Sequence, residues 1–146
     1  MNQNIKRDKW YENRILWRAE QHKLFDKRCL RYVDAPEKVK EVIESCSKYK
    51  GIPVLLFFRN SELWTLLTTN EVVSFYDGKL RSGELDLVQK KVKIKRNGSN
   101  GSNQSNSVKE SEFISLANLG VTVWAPAGSE LFALMNILQM FPLNIK

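Results

Sequence analysis

The chain has 146 residues and a formal net charge of +7, enough length for one domain with a buried core. An apolar share of 42% and a charged share of 27% exclude a disordered or collagen-like chain and fit a folded one. Cys29 and Cys46 form no C-x-x-C and the single histidine, His22, belongs to no Cys/His cluster, so neither a metal nor a cofactor is expected.

The first residues lack the apolar core of a secretory signal, and no apolar run approaches the ~20 residues of a membrane span. A cytoplasmic protein without a transmembrane segment is the expectation. The basic excess is uneven: residues 1–50 carry a net +5 and residues 51–146 a net +2. This balance favours anionic partners (nucleic acid, an acidic protein face or an anionic lipid surface) and equally serves solubility.

In chain order, residues 8–31 are rich in Trp, Tyr, Arg and Lys. Tyr11, Ile15, His22 and Cys29 fit one helical face, and Trp10, Trp17 and Leu24 form a second line spaced by seven. A helix is expected, with Ile15-Leu16-Trp17 also readable as a short strand. A second helix is expected over 34–50, with Asp34 as cap, Pro36 in the first turn, Val39, Val42, Ile43 and Cys46 as its buried stripe, and Gly51 as a left-handed stop. Residues 52–58 read as a central strand, 63–69 and 72–76 as the next two, and Asp77-Gly78 as a hairpin turn. Residues 79–82 and 85–94 continue the meander. The polar stretch 97–107 reads as a flexible loop. Strands follow over 113–116 and 121–124 around a turn at Asn118-Leu119-Gly120. Leu131, Leu134, Met135, Leu138 and Phe141 then mark one face of a closing helix stopped by Pro142.

The segment from Leu63 through Leu66-Leu67-Thr68-Thr69-Asn70 to Asp77-Gly78 resembles the early hairpin of bacterial pleckstrin-homology-like domains. Glu84-Leu85-Asp86-Leu87-Val88 looks like the segment that begins their next strand, and 126–136 looks like their closing helix. The resemblance covers residues 52–141 and implies a bent sheet closed by a helix, a fold that mostly binds proteins or lipids. Where family members commonly place Arg or Lys soon after the Asn, this chain has Glu71, Val72 and Val73. The whole is expected to be one α+β domain, 1–146: two N-terminal helices in 1–50, a bent, mostly antiparallel sheet, and a C-terminal helix.

No P-loop, G-x-G-x-x-G or nucleophile elbow is present. A Cys29–His22 pair on one helical face is the nearest approach to a nucleophile and base. Glu84 with Asp86, and Glu110 with Glu112, alternate as paired carboxylates on strands would, a pattern that a solvated strand face also explains. Two features suit contact rather than catalysis. Lys91, Lys93 and Lys95 alternate with Val92 and Ile94 and form a basic stripe on one strand face, or a guard on a sheet edge. Trp10, Arg14, Trp17 and Arg18, with Arg7 and Gln21 nearby, combine the residue types that dominate protein-binding hot spots and that also stack on bases; packing of the helix onto the sheet with the arginines facing water explains them equally well. The expected function is therefore a non-enzymatic protein-binding module, in its most specific form a small bacterial immunity protein that neutralises a partner toxin through an acidic face of that toxin. The alternative is a nucleic-acid-binding or anionic-lipid-binding module using the basic stripes.

Overall fold

A computed structural model describes the backbone of residues 2–27, 29–95 and 112–141, and the side chains of these except 2–5 and 95. The fold is α+β, as expected. Helix α1 spans Asn2–Gln21, strand β1 Cys29–Arg31 and helix α2 Glu37–Cys46. A meander follows: β2 Pro53–Asn60, β3 Leu63–Thr68, β4 Glu71–Tyr76 and β5 Lys79–Glu84. After a one-turn helix, α3 Leu85–Val88, come β6 Val92–Lys95, β7 Phe113–Leu116, β8 Val121–Trp124 and the closing helix α4 Ser129–Leu138. All pairings are antiparallel and sequential, giving a five-stranded sheet β1-β2-β3-β4-β5 and a three-stranded sheet β6-β7-β8.

The five-stranded sheet is covered on both faces, which explains why β2 reads as an unbroken apolar run rather than an alternation. Leu56, Trp64, Leu66 and Val73 face Ile43 of α2 and the turn around Tyr32 and Ala35. Leu55, Phe57, Leu67 and Val72 face the larger core, shared with Tyr11, Ile15 and Ala19 of α1, the three-stranded sheet and α4. Leu131, Leu134, Leu138 and Phe141 are fully buried there, as their spacing predicts. Burying each such side chain contributes about 1.5–3 kcal/mol before the entropy cost of ordering it.

The two sheets are joined by a buried polar seam. Thr65 and Ser74 are directly opposed on β3 and β4 and both are fully buried. The Trp124 N–H donates to Ser74 Oγ at 3.0 Å. Thr65 Oγ1 donates to the Trp124 carbonyl at 2.6 Å and lies 2.8 Å from Ser74 Oγ. With the Thr65 proton committed to the carbonyl, Ser74 Oγ donates to Thr65 Oγ1 at 2.8 Å, a far shorter contact than its other acceptor, the Trp64 carbonyl at 3.5 Å. The result is a closed circuit that satisfies the outer backbone groups of β8 without a further strand. Tyr76 Oη extends the seam by donating to the Thr122 carbonyl at 2.9 Å.

Several local expectations are corrected. The helix of 8–31 stops at Gln21: Lys23 is left-handed (φ 55°), and the chain passes through a 3-10 turn into β1. Cys29 is therefore on a strand, not on a helical face with His22. Asp34 does not cap α2, whose N-cap is Pro36. Of the expected stripe, Ile43 is buried, Val39 and Val42 are half-buried and Cys46 is exposed. The strand expected over 85–94 is α3 followed by β6. Leu85 and Val88 are both buried one turn apart, and consecutive left-handed residues Gln89 and Lys90 (φ 55° and 60°) reset the chain direction. The stretch 97–107, with Arg96 and Glu110, lies outside the described residues.

Gly51 is left-handed (φ 88°) but does not end α2, which closes at Ser47. It lets the chain pass close to the β3–β4 turn: a Cβ here would lie 2.7 Å from Thr69 Oγ1 and 2.8 Å from the Asn70 nitrogen. Gly51→Ala is expected to destabilise the fold by about 1–3 kcal/mol, read as a lower denaturation midpoint with an unchanged slope.

Candidate interaction surface

Helix α1 is held from one side. Tyr11, Ile15 and Ala19, at i, i+4 and i+8, are buried. Its first half is also tied by polar contacts: Arg7 donates to Asp86 Oδ2 at 3.0 Å, to the Thr69 carbonyl at 3.1 Å and to Asp8 at 3.1 Å. Tyr11 Oη donates to the other Asp86 oxygen, and the Arg7 guanidinium lies 4.0 Å from the Tyr11 ring centroid. Arg7 is thus a structural clasp, not a free member of the basic face. Asp86 is its partner from α3, not half of a carboxylate pair with Glu84.

The opposite side of α1 carries the tryptophans. Trp10 is 42% and Trp17 43% exposed, and their spacing of seven puts them on one line. Arg14 lies 4.5 Å and Arg18 5.3 Å from the Trp17 ring centroid, each contact worth about 0.5–1 kcal/mol at an exposed site. The structure thus brings Arg14 and Arg18 against Trp17, with Trp10 two turns earlier on the same line of the helix.

The lysines are elsewhere. Lys91 precedes β6 and Lys93 lies within it; both are exposed, while Val92 between them is buried. The Lys95 side chain lies outside the described residues. Strand β6 is an edge of its sheet, and Gln139 Nε2 donates to the Val92 carbonyl at 3.1 Å, covering part of that edge. Among the described residues no hydrogen bond, ion pair or ring contact joins these lysines to the α1 patch.

An open cleft of about 330 Å3, lined by Arg7, Asp8, Lys50, Gly51, Asn70 and Asp86, lies where α1 meets the β3–β4 turn. The Thr68-Thr69-Asn70 segment builds this corner. Thr68 Oγ1 donates to the Lys50 carbonyl at 2.6 Å and accepts from the Asn70 and Glu71 amides at 3.0 and 2.9 Å. Thr69 Oγ1 accepts the Ile52 amide at 3.0 Å.

The groups considered for catalysis are dispersed. Cys29 is buried, and burial, with the nearby Glu130 carboxylate, pushes its thiol well above the usual range, so it is not a ready nucleophile. His22 is held below its ordinary value by burial and by the charge of Arg18. Glu112 accepts the Trp124 indole N–H at 3.1 Å and sits 3.8 Å from Arg59, a structural role. Among the described residues no group of three His, Cys, Asp or Glu is placed to hold a metal ion, and no helix is long and apolar enough to cross a membrane. A thiol reagent should label exposed Cys46 in the native protein and leave Cys29 unmodified until denaturant is added; equal rates at both would contradict the burial of β1.

No family model, no curated protein and no solved structure matches the chain.

Proposed function

We propose that this chain is a non-catalytic protein-binding module whose contact face is the solvent side of α1. The observation that carries the reading is the pair of half-exposed tryptophans on one line of a helix whose opposite face is buried. Trp and Arg supply most of the energy in protein interfaces, and a face already fixed by the core loses little entropy on binding. The reading also draws on the sequence resemblance of residues 52–141 to pleckstrin-homology-like domains. By analogy of fold alone, this favours binding over catalysis. The two free thiols fit a cytoplasmic location. The most specific form of the reading is a small immunity protein that neutralises a partner toxin. It is tested by co-expression with toxins encoded beside its gene, where failure to protect against any of them would remove it.

The class of partner is tested by capture with the tagged protein at about 0.05 and 0.2 M salt, with and without nuclease, and by sedimentation with anionic vesicles. A stoichiometric protein partner that survives both salt and nuclease is expected. Binding only to nucleic acid and lost at the higher salt, or sedimentation abolished by Lys91→Glu with Lys93→Glu, would replace the reading with a phosphate- or lipid-binding one.

A further inference from the structure

Among the described residues, the two arginines beside Trp17 lack the polar partners that hold Arg7, Arg59 and Arg81, and differ from the exposed, equally unpaired Arg31 in being set against an aromatic ring. Arg7 is paired with Asp86 and Asp8, Arg59 with Glu112, and Arg81 donates to the Tyr76 carbonyl at 2.8 Å. The guanidinium groups of Arg14 and Arg18 make no hydrogen bond or ion pair among the described residues; each is set against the Trp17 ring instead. Arg18 Nε is buried with no acceptor. That atom is shut off from solvent, so an incoming carboxylate can meet only the terminal nitrogens of Arg18, which are not buried. Because both groups lie against one indole, the two guanidiniums are within about 10 Å of each other. Any separation up to that limit is within reach of carboxylates on neighbouring residues or successive helical turns.

We propose that the Trp17 end of the α1 face is a receptor for an acidic protein segment, which sets carboxylates against Arg14 and Arg18 and an apolar side chain against the Trp17 indole. This inference rests on the protein-binding reading above and adds the chemistry of the partner. Charge complementarity selects the occupant. A nucleic-acid strand needs a run of cations along its phosphates, whereas α1 also carries Asp8, Glu12 and Glu20, and Lys91 and Lys93 are on a different element. Two unpaired guanidiniums beside an exposed aromatic match a small number of carboxylates flanking an apolar anchor, with the fork geometry of Arg suited to bidentate carboxylate contacts.

The test uses the full-length protein as bait for a library of displayed random 12-residue peptides. Selected peptides are expected to be enriched in Asp and Glu beside a large apolar residue. Replacing the acids of a selected peptide by Asn and Gln is expected to weaken it by about tenfold or more. Arg14→Gln with Arg18→Gln, which removes the charge but keeps most of each aliphatic stem, should abolish the discrimination between the acidic and amide peptides. Trp10→Ala with Trp17→Ala should abolish binding of both. Enrichment of peptides without acidic residues, or equal binding of the acidic and amide peptides, would overturn this inference and leave the protein-binding reading standing. No enrichment at all would overturn both, as would peptide binding fully competed by a 15-nucleotide thymidine strand.

Discussion

Thr65→Val and Ser74→Ala are each expected to destabilise the fold by about 1–3 kcal/mol, and the double variant by clearly less than the sum of the two. Ser74→Ala leaves the buried Trp124 N–H without an acceptor; Thr65→Val leaves the Trp124 carbonyl without its donor. Neither can be repaired by water, because both side chains are fully buried. The effects are coupled because the two hydroxyls form one circuit: breaking it at either point already disturbs the other bond. Denaturant unfolding of the two single variants and the double variant measures this directly. Strict additivity would show that the hydroxyls act separately and that the seam is not a circuit. Because the seam fixes how the three-stranded sheet meets β3 and β4, the slope of unfolding is also expected to fall if the sheets part before the rest of the fold.

The second large effect is on binding. Trp10→Ala with Trp17→Ala is expected to weaken the complex with the native partner by at least about 100-fold, since hot-spot aromatics cost about 2 kcal/mol or more each on truncation. Lys91→Glu with Lys93→Glu should change affinity little while altering its salt dependence. Stability is expected to fall by about 1–2 kcal/mol in the tryptophan variant, from the lost Arg14 and Arg18 contacts with Trp17, while the side of α1 that anchors it to the core is untouched and the protein stays folded. Titration calorimetry with each variant, beside a thermal melt, separates the two effects. If the tryptophan variant bound normally and the lysine variant did not, the contact face would be β6.

The parts of the fold legible in the sequence are those set by local pattern. The runs at 52–58, 63–69 and 72–76 are strands because β-branched and aromatic residues dominate them. Asp77-Gly78 is a two-residue turn with both residues left-handed (φ 53° and 70°), the geometry its residue types favour. The closing helix follows its apolar spacing. Misreadings fall where long-range contacts decide. Residues 85–88 alternate well enough for a strand, but the Leu85 amide is taken by the Asn70 carbonyl and Asp86 by Arg7 and Tyr11, partners more than seventy residues away. Strand β1 is three residues long and is defined by its pairing with β2, which no local pattern announces. The seam was invisible because Thr65 and Ser74 are ordinary strand residues until β8 is laid across them. The alignment of Trp10 with Trp17 on one helix line is legible through spacing alone, whereas the diversion of Arg7 to Asp86 requires the structure.

The most direct test of the central claim is oxidative footprinting of the complex with its captured partner, read by mass spectrometry at each tryptophan. Trp10 and Trp17 are half-exposed in the free protein, while Trp64 and Trp124 are buried and serve as internal controls. Strong protection of Trp10 and Trp17 on binding, with Trp64 and Trp124 unchanged, is the predicted result. A stoichiometric complex in which Trp10 and Trp17 oxidise as fast as in the free protein would contradict the assignment of α1 as the contact face.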